Sequence, residues 1–363
     1  MRHLTTLAIL LATTTLASAA SNESFILQVG KKNAAIAAQQ NGDNTQATAQ
    51  FGIGNKAITA QTSGGNENKS STLQFGIGNA SVAAQNGGNN VQSTLQVGVE
   101  NKALTVQNDS AANQNTSTIG QFGAFNTAIA AQNGGSNNQT TLQFGIGNFA
   151  ATAQQTGANG DQNQAKTIQG GIGNAAITLQ DTAGVAGSTS GTGGANTSTS
   201  LQFGKGNVDV TAQASVGTGA TAGLAVSGVE NNATTLQVGS KNFAATLQTG
   251  ASQGTQGNQD ANNSLTAQFG HGNVALTAQS IADPLGATAS NASVIAQFGS
   301  KNVAIAAQND TGIQPMIGAN LQATVQAGTG NVALTTQTAS ANLTNASVTA
   351  QFGSHNVAIT SQH

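Results

Sequence analysis

The side chains whose number and spacing let them act together in this sequence are amides. Asn and Gln recur in the pattern N-x5-Q-x-G-x-x-N-x5-Q, first as Asn22, Gln28, Gly30, Asn33 and Gln39, then as Asn44, Gln50, Gly52, Asn55 and Gln61. A carboxamide carries both donors and an acceptor, so identical amides stacked about 4.8 Å apart form a hydrogen-bonded ladder. That chemistry builds structure and transforms no substrate. Groups suited to catalysis are sparse and scattered. There is no Cys, and His271, His355 and His363 stand alone, outside the five repeated positions. They read as solvated turn residues rather than metal ligands. Gly52-Ile53-Gly54 could suggest a phosphate loop, but no helical pattern follows it, and a turn explains it better. The Asp and Gly of the connections lack the nonapeptide spacing of a calcium-binding repeat. Triplets such as Asn22-Glu23-Ser24 place their Asn on the inward face and read as coincidental glycosylation motifs. No enzyme activity, cofactor or metal is expected.

The pattern dictates the elements that carry it. Repeats begin at Asn22, Asn44, Asn68, Asn90, Asn115, Asn137, Asn163, Asn196, Asn231, Asn262, Asn291, Asn320 and Asn345, and all thirteen hold all five residues. The third therefore contributes Asn68, Gln74, Asn79 and Gln85, and the sixth Asn137, Gln143, Asn148 and Gln154. The last contributes Asn345, Gln351, Asn356 and Gln362. Each N-x5-Q half is the length of one strand. The glycine two residues after the first Gln (Gly30, Gly52, Gly76, Gly145, Gly353) suits a tight turn with positive φ. Between repeats the connection varies, from four residues at Asn86–Asn89 to seventeen at Ala214–Glu230. One fixed and one variable corner predict an all-β fold, a β-solenoid of strand–turn–strand coils forming two stacked parallel sheets. The longer connections, with Asp181, Asp260 and Asp283, read as solvated surface.

Alternation along a strand puts Asn and Gln on one face with the residues at offsets 2 and 4 of each half. In the second strand those offsets are nearly all Ala and Thr. The opposite face is more apolar, yet it carries Lys56 and Lys102, with Glu23, Lys69 and Lys166 in first strands. Burying an unpaired Lys costs far more than exposing a Val. The uniform Asn/Gln/Ala/Thr face is therefore expected inside, with Asp209 as its one misfit. The apolar outer face predicts sideways association or adhesion.

Composition agrees with a fold that has no conventional core: 46 Gly, two Pro, no Trp or Tyr, and 6% charged residues. The formal charge of -2 gives no reason to expect nucleic-acid binding. Residues 1–19 read as a signal peptide. Arg2 is followed by the apolar run Leu4 to Leu16 and the A-x-A site Ala17-Ser18-Ala19, leaving 20–363 as the repeat domain. No later stretch approaches a membrane span. The first strand starts just past this site and the last ends at Gln362, so neither terminal coil is expected to be capped.

Gln143-Phe144-Gly145-Ile146-Gly147-Asn148-Phe149-Ala150 and Gln297-Phe298-Gly299-Ser300-Lys301-Asn302-Val303-Ala304 resemble the curlin repeat of bacterial curli subunits. The likeness covers essentially the whole chain after residue 19, except that the leading Ser of that repeat is Asn in every copy. The resemblance implies a secreted functional amyloid, a homopolymer stacked end to end on a nucleator at the cell surface. It also implies export through an outer-membrane pore and a role in biofilm, adhesion and cell aggregation. The alternative is a monomeric ice-binding or adhesive β-solenoid.

Overall fold

A computed structural model of the chain describes residues 22–63, 67–109, 114–157, 162–183, 194–217, 229–252, 260–283, 289–311, 318–340 and 344–363. The signal-peptide stretch and the middle of the Ala214–Glu230 connection lie outside these residues. The chain divides into two compact units, Met1–Ala151 and Thr152–His363. Coils are numbered 1 to 13 from the Asn that opens each repeat.

The first unit runs through β1 (Glu23–Lys31), β2 (Ala34–Gln40), β3 (Asn44–Ile53), β4 (Lys56–Thr62), β5 (Asn68–Ile77), β6 (Ala80–Gly87), β7 (Val91–Val99), β8 (Lys102–Asp109), β9 (Thr116–Ala124), β10 (Thr127–Asn133), β11 (Asn138–Ile146) and the start of β12 (Phe149–Thr156). The second, after the end of β12, runs through β13 (Asn163–Ile172), β14 (Ala175–Ala183), β15 (Asn196–Lys205), β16 (Val208–Gly217), β17 (Glu230–Ser240), β18 (Phe243–Ser252), β19 (Ala261–His271), β20 (Val274–Asp283), β21 (Ala289–Ser300), β22 (Val303–Thr311), β23 (Gly318–Thr329), β24 (Val332–Ser340), β25 (Thr344–Ser354) and β26 (Val357–Gln362). In each unit odd strands pair in parallel with odd, and even with even. Like residues fall in register: Gln28 opposite Gln50, Gly30 opposite Gly52, Gln39 opposite Gln61. Each unit is thus a β-solenoid of two stacked parallel sheets.

The interior is narrow and polar. Asn55, Ala57, Thr59 and Gln61 are all buried, whereas Lys56, Ile58 and Lys102 are exposed on the opposite face. Small hydrophobic clusters close the space between the sheets, as where Ile119 of β9 meets Ala103 of β8 and Ala128 and Ala130 of β10.

Two features differ from the sequence expectation. First, the repeated glycine is not in the turn. The first strand continues through it, so that β3 ends at Ile53 rather than Gln50. Gly52 has φ 123, and a Cβ there would lie 2.0 Å from the carbonyl oxygen of Gly76 in the next coil. Glycine is needed for close approach of two backbones. The turn itself is made two residues later, at the residue before the second Asn, where φ lies between 52 and 70 in every coil. That position holds Gly54 or Gly78 in some coils but Lys32, Glu100, Phe125 and His355 in others.

Second, Asp260 is not solvated surface. It is 2% exposed, and its Oδ1 accepts the Ala289 N–H at 2.7 Å. The cause is an added interior layer at the variable corner of the second unit, where β21 and β23 lengthen to 12 residues. Val229, Ile281 and Ala289 pack together there, and Asp310 accepts the Ser290 N–H at 3.3 Å. Asp181 is exposed, while the Asp283 side chain lies outside what is described.

Candidate functional site: the stacked amide ladder

The repeated glutamines run as two continuous chains in each unit, one per sheet. In the first unit Gln28 Nε2 donates to Gln50 Oε1 at 2.6 Å, Gln50 to Gln74 at 2.7 Å and Gln74 to Gln96 at 2.7 Å. The second chain runs Gln39 to Gln61 to Gln85 at 2.9 and 2.8 Å. In the second unit the chains close on Gln351, reached from Gln326 at 2.8 Å, and Gln362, reached from Gln337 at 2.7 Å. Within the stack Nε2 also donates to a backbone carbonyl, as Gln74 does to Lys56 O at 2.9 Å, tying one sheet to the other. Both amide hydrogens and the oxygen of Gln74 are thus satisfied, which allows a polar interior to stay dry.

The asparagines form ladders of opposite sense. Asn44 Nδ2 donates back to Asn22 Oδ1 at 2.9 Å, and Asn68 to Asn44 at 3.1 Å. The second Asn of each repeat binds the turn as well. Asn79 donates to Phe75 O and Gly98 O, both at 3.0 Å, and its backbone N–H donates to Asn55 Oδ1 at 3.1 Å. It therefore holds the two glycine backbones in the close approach described above. Asn137, Gln143, Asn148 and Gln154 occupy the same buried positions, and Asn33, Asn345 and Asn356 are half-buried.

One set of buried residues lies outside the repeated pattern. At offset 2 of the first strand Ser and Gln alternate through coils 1 to 6: Ser24, Gln46, Ser70, Gln92, Ser117, Gln139. Each Ser hydroxyl donates to the Gln oxygen of the following coil, at 2.8 Å from Ser24 and 2.7 Å from Ser70. Each Gln in turn donates to the Thr two residues on, Thr48, Thr94 or Thr141. Bulk is balanced across the interior. Ile26, Ile119 and Ile295 share their coils with Ala37, Ala130 and Ala306, where other coils mostly have Thr. The signal was present in the sequence as a two-coil period in first strands.

Replacing one ladder glutamine orphans several buried groups. Gln121 donates to Lys102 O at 2.9 Å and to Gln143 Oε1 at 2.8 Å, and accepts from Gln96 at 2.8 Å. Gln121→Ala is expected to lose about 3–5 kcal/mol, since each stranded buried group costs about 1–3 kcal/mol. Lys102→Ala, on the exposed face, is expected to stay within about 0.5 kcal/mol. Urea midpoints decide; equal losses would mean that the amides carry no special weight.

Asp209 is the misfit inside. It is 1% exposed, stacked between Ala176 and Ala244, and its Oδ1 has no hydrogen-bond partner. Burial pushes its carboxyl up to about 6, an effect that the Ser200 and Thr235 hydroxyls offset only in part. The folded state thus holds the proton more tightly than the unfolded chain. Stability is highest while the group is protonated and falls as pH rises from about 4 through 6, by about 3 kcal/mol in all. Asp209→Ala is expected to abolish that slope and to stabilise the protein at pH 7. Denaturation midpoints from pH 4 to 7 test this, and parallel curves would refute it.

The outer faces carry an unusual amount of apolar surface. Phe51 stacks on Phe75 with ring centroids 4.9 Å apart, and Ile36, Ile58 and Leu104 of the even strands are exposed. No protein-family model matches this chain, and no curated protein matches it. Among the described residues, no helix is long and apolar enough to cross a membrane.

Proposed function

We propose that this chain is an exported structural subunit that polymerises end to end into curli-like amyloid fibres of a biofilm matrix. In this reading its partners are further copies of itself, a nucleator subunit and a curli-type secretion pore. The fibre lies at the bacterial cell surface and serves adhesion and cell aggregation. One observation carries the proposal: the ladder is written in the same residues at every level. The outer edge of coil 13 presents Gln351 and Gln362, and that of coil 1 presents Gln28 and Gln39, all at matching offsets. The direction of the bonds makes the two edges complementary. Gln28 and Gln39 spend their Nε2 donors inward on Gln50 and Gln61, so their oxygens suit the donors of a preceding coil. Asn ladders run the other way and fix the same polarity. Head-to-tail stacking repeats without limit.

The test is to incubate purified chain lacking residues 1–19 and follow thioflavin fluorescence and fibre diffraction. Fibres with a meridional reflection near about 4.7 Å are expected. A chain that stays monomeric for days at high concentration would sink the proposal. The ice-binding or adhesive alternative would have to use the outer faces, because the flat Asn/Gln/Ala/Thr array is buried.

A further inference from the structure

The turn edge of the second unit carries a pattern that the ladder does not need. Each coil places two residues between its glycine and its second Asn, and from coil 8 onward one of the two is often basic. Lys205 lies in coil 8, Lys241 in coil 9, His271 in coil 10, Lys301 in coil 11 and His355 in coil 13. All five are exposed. They alternate between the two positions along one edge: Lys205 is in register with Ser240 and His271 with Ser300, while the Lys241 N–H donates to Lys205 O and the Lys301 N–H to His271 O, both at 2.9 Å. The other residue of each pair is small or hydroxylated. Ser240 bonds His271 Nδ1 at 2.7 Å, and Ser300 lies 3.3 Å from Thr329 Oγ1.

Charge is segregated in this unit. Three of its four lysines are on this edge, and the fourth is Lys166. None of its seven acids falls there: Asp209 is inside, and the others lie at or between the ends of repeats. Among the described residues no ion pair involves Lys205, Lys241 or Lys301. Nothing in the coil's own stability calls for gathering like charges on one edge, where they repel each other.

We infer that this edge is a binding surface for a linear, carboxylated polysaccharide lying along the stacking direction. The chemistry fits in three ways. Three lysines over three coil steps, each about 4.8 Å, give one positive charge per about 7 Å. Duplex DNA carries one charge per about 1.7 Å, a much denser array. The hydroxyls of Ser240 and Ser300 and the imidazole of His271 beside the lysines offer hydrogen bonds suited to sugar hydroxyls. The neighbouring phenylalanines Phe269 and Phe298 stack on each other at 5.2 Å, which leaves no gap between the two rings for a base to enter. The edge runs parallel to the stack and stays open whether or not copies join, so this inference stands apart from the fibre proposal.

The test compares the full chain without residues 1–19 against two triple variants. Lys205→Ser/Lys241→Gly/Lys301→Gly uses the residue types that other coils have at the same positions. Lys56→Ala/Lys102→Thr/Lys166→Thr changes net charge equally but leaves the edge intact. Binding to polygalacturonate is measured at low salt, with neutral dextran and duplex DNA in parallel. The edge variant is expected to bind polygalacturonate at least tenfold more weakly, the control variant within twofold of the parent, and dextran not at all. Equal loss in both variants would reduce the effect to bulk charge and overturn the inference. Tighter binding of DNA than of polygalacturonate, lost in the edge variant, would overturn the choice of partner. Circular dichroism of each variant checks that the fold is retained.

Discussion

Gly204→Ala will separate two coils of the second unit rather than merely loosen them. The added Cβ would lie 1.9 Å from the carbonyl oxygen of Gly239 and 2.9 Å from its carbon, with φ at +121. The obstacle is backbone, so no side chain can rotate away. Relief requires coils 8 and 9 to move apart, and that movement breaks what crosses the gap nearby. Asn207 Nδ2 donates to Gly239 O at 3.2 Å, and the Lys241 N–H donates to Lys205 O at 2.9 Å. The expected loss exceeds about 4 kcal/mol, in the range reached only when packing and hydrogen bonding fail together. Gly206, two residues on, makes the comparison sharp. A Cβ there meets nothing within 4 Å, and its φ of +64 is a conformation that Lys241 and Lys301 adopt at the equivalent place. Gly206→Ala is therefore expected to cost only about 1 kcal/mol. Denaturant midpoints and limited proteolysis around coils 8 and 9 separate the two. Equal effects would show that backbone conformation, not close approach, is what glycine supplies.

That comparison also marks what could be read from the sequence. Gly204 repeats in every coil, and an invariable position announces a constraint even when its cause is misassigned. The turn residue two places later varies between Gly, Lys, Glu, Phe and His, so composition gives no hint of its left-handed conformation. The amide face was legible because Lys56 and Lys102 could not share the interior with it. Burial of Asp260 was hidden for a different reason. It lies in a variable connection, and its environment is created by the lengthening of strands in adjacent coils. The Ser24–Gln46 and Ser70–Gln92 pairs span two coils, so a search for what every repeat shares passes over them. Register within one coil follows from local pattern; partners one coil away depend on which repeat is the neighbour.

The same geometry allows elongation to be separated from folding. Along each unit the Cβ that the repeated glycine lacks points at the next coil: Gly30 at Gly52 O, Gly328 at Gly353 O. At Gly353 a Cβ would find only Asn356 Nδ2, at 3.8 Å. Gly353→Ala therefore leaves the contacts of the monomer in place, apart from a conformational cost of about 1–3 kcal/mol at one edge residue. Under the fibre proposal its methyl group would occupy the site where the Gly30 backbone of an incoming copy must sit. Gly30→Ala differs, because its Cβ would lie 1.9 Å from Gly52 O within its own chain. It should weaken the monomer itself. The expected result for Gly353→Ala is a strand content equal to the parent by circular dichroism and a seeded elongation rate at least tenfold lower. Capping should follow as well: a small excess of the variant is expected to arrest growth of parent seeds at one end only. If Gly353→Ala elongates as fast as the parent, coil 13 does not receive coil 1 by continuing the stack. The fibre would then have to be built through the apolar outer faces, and the complementarity of the amide edges would play no part in it.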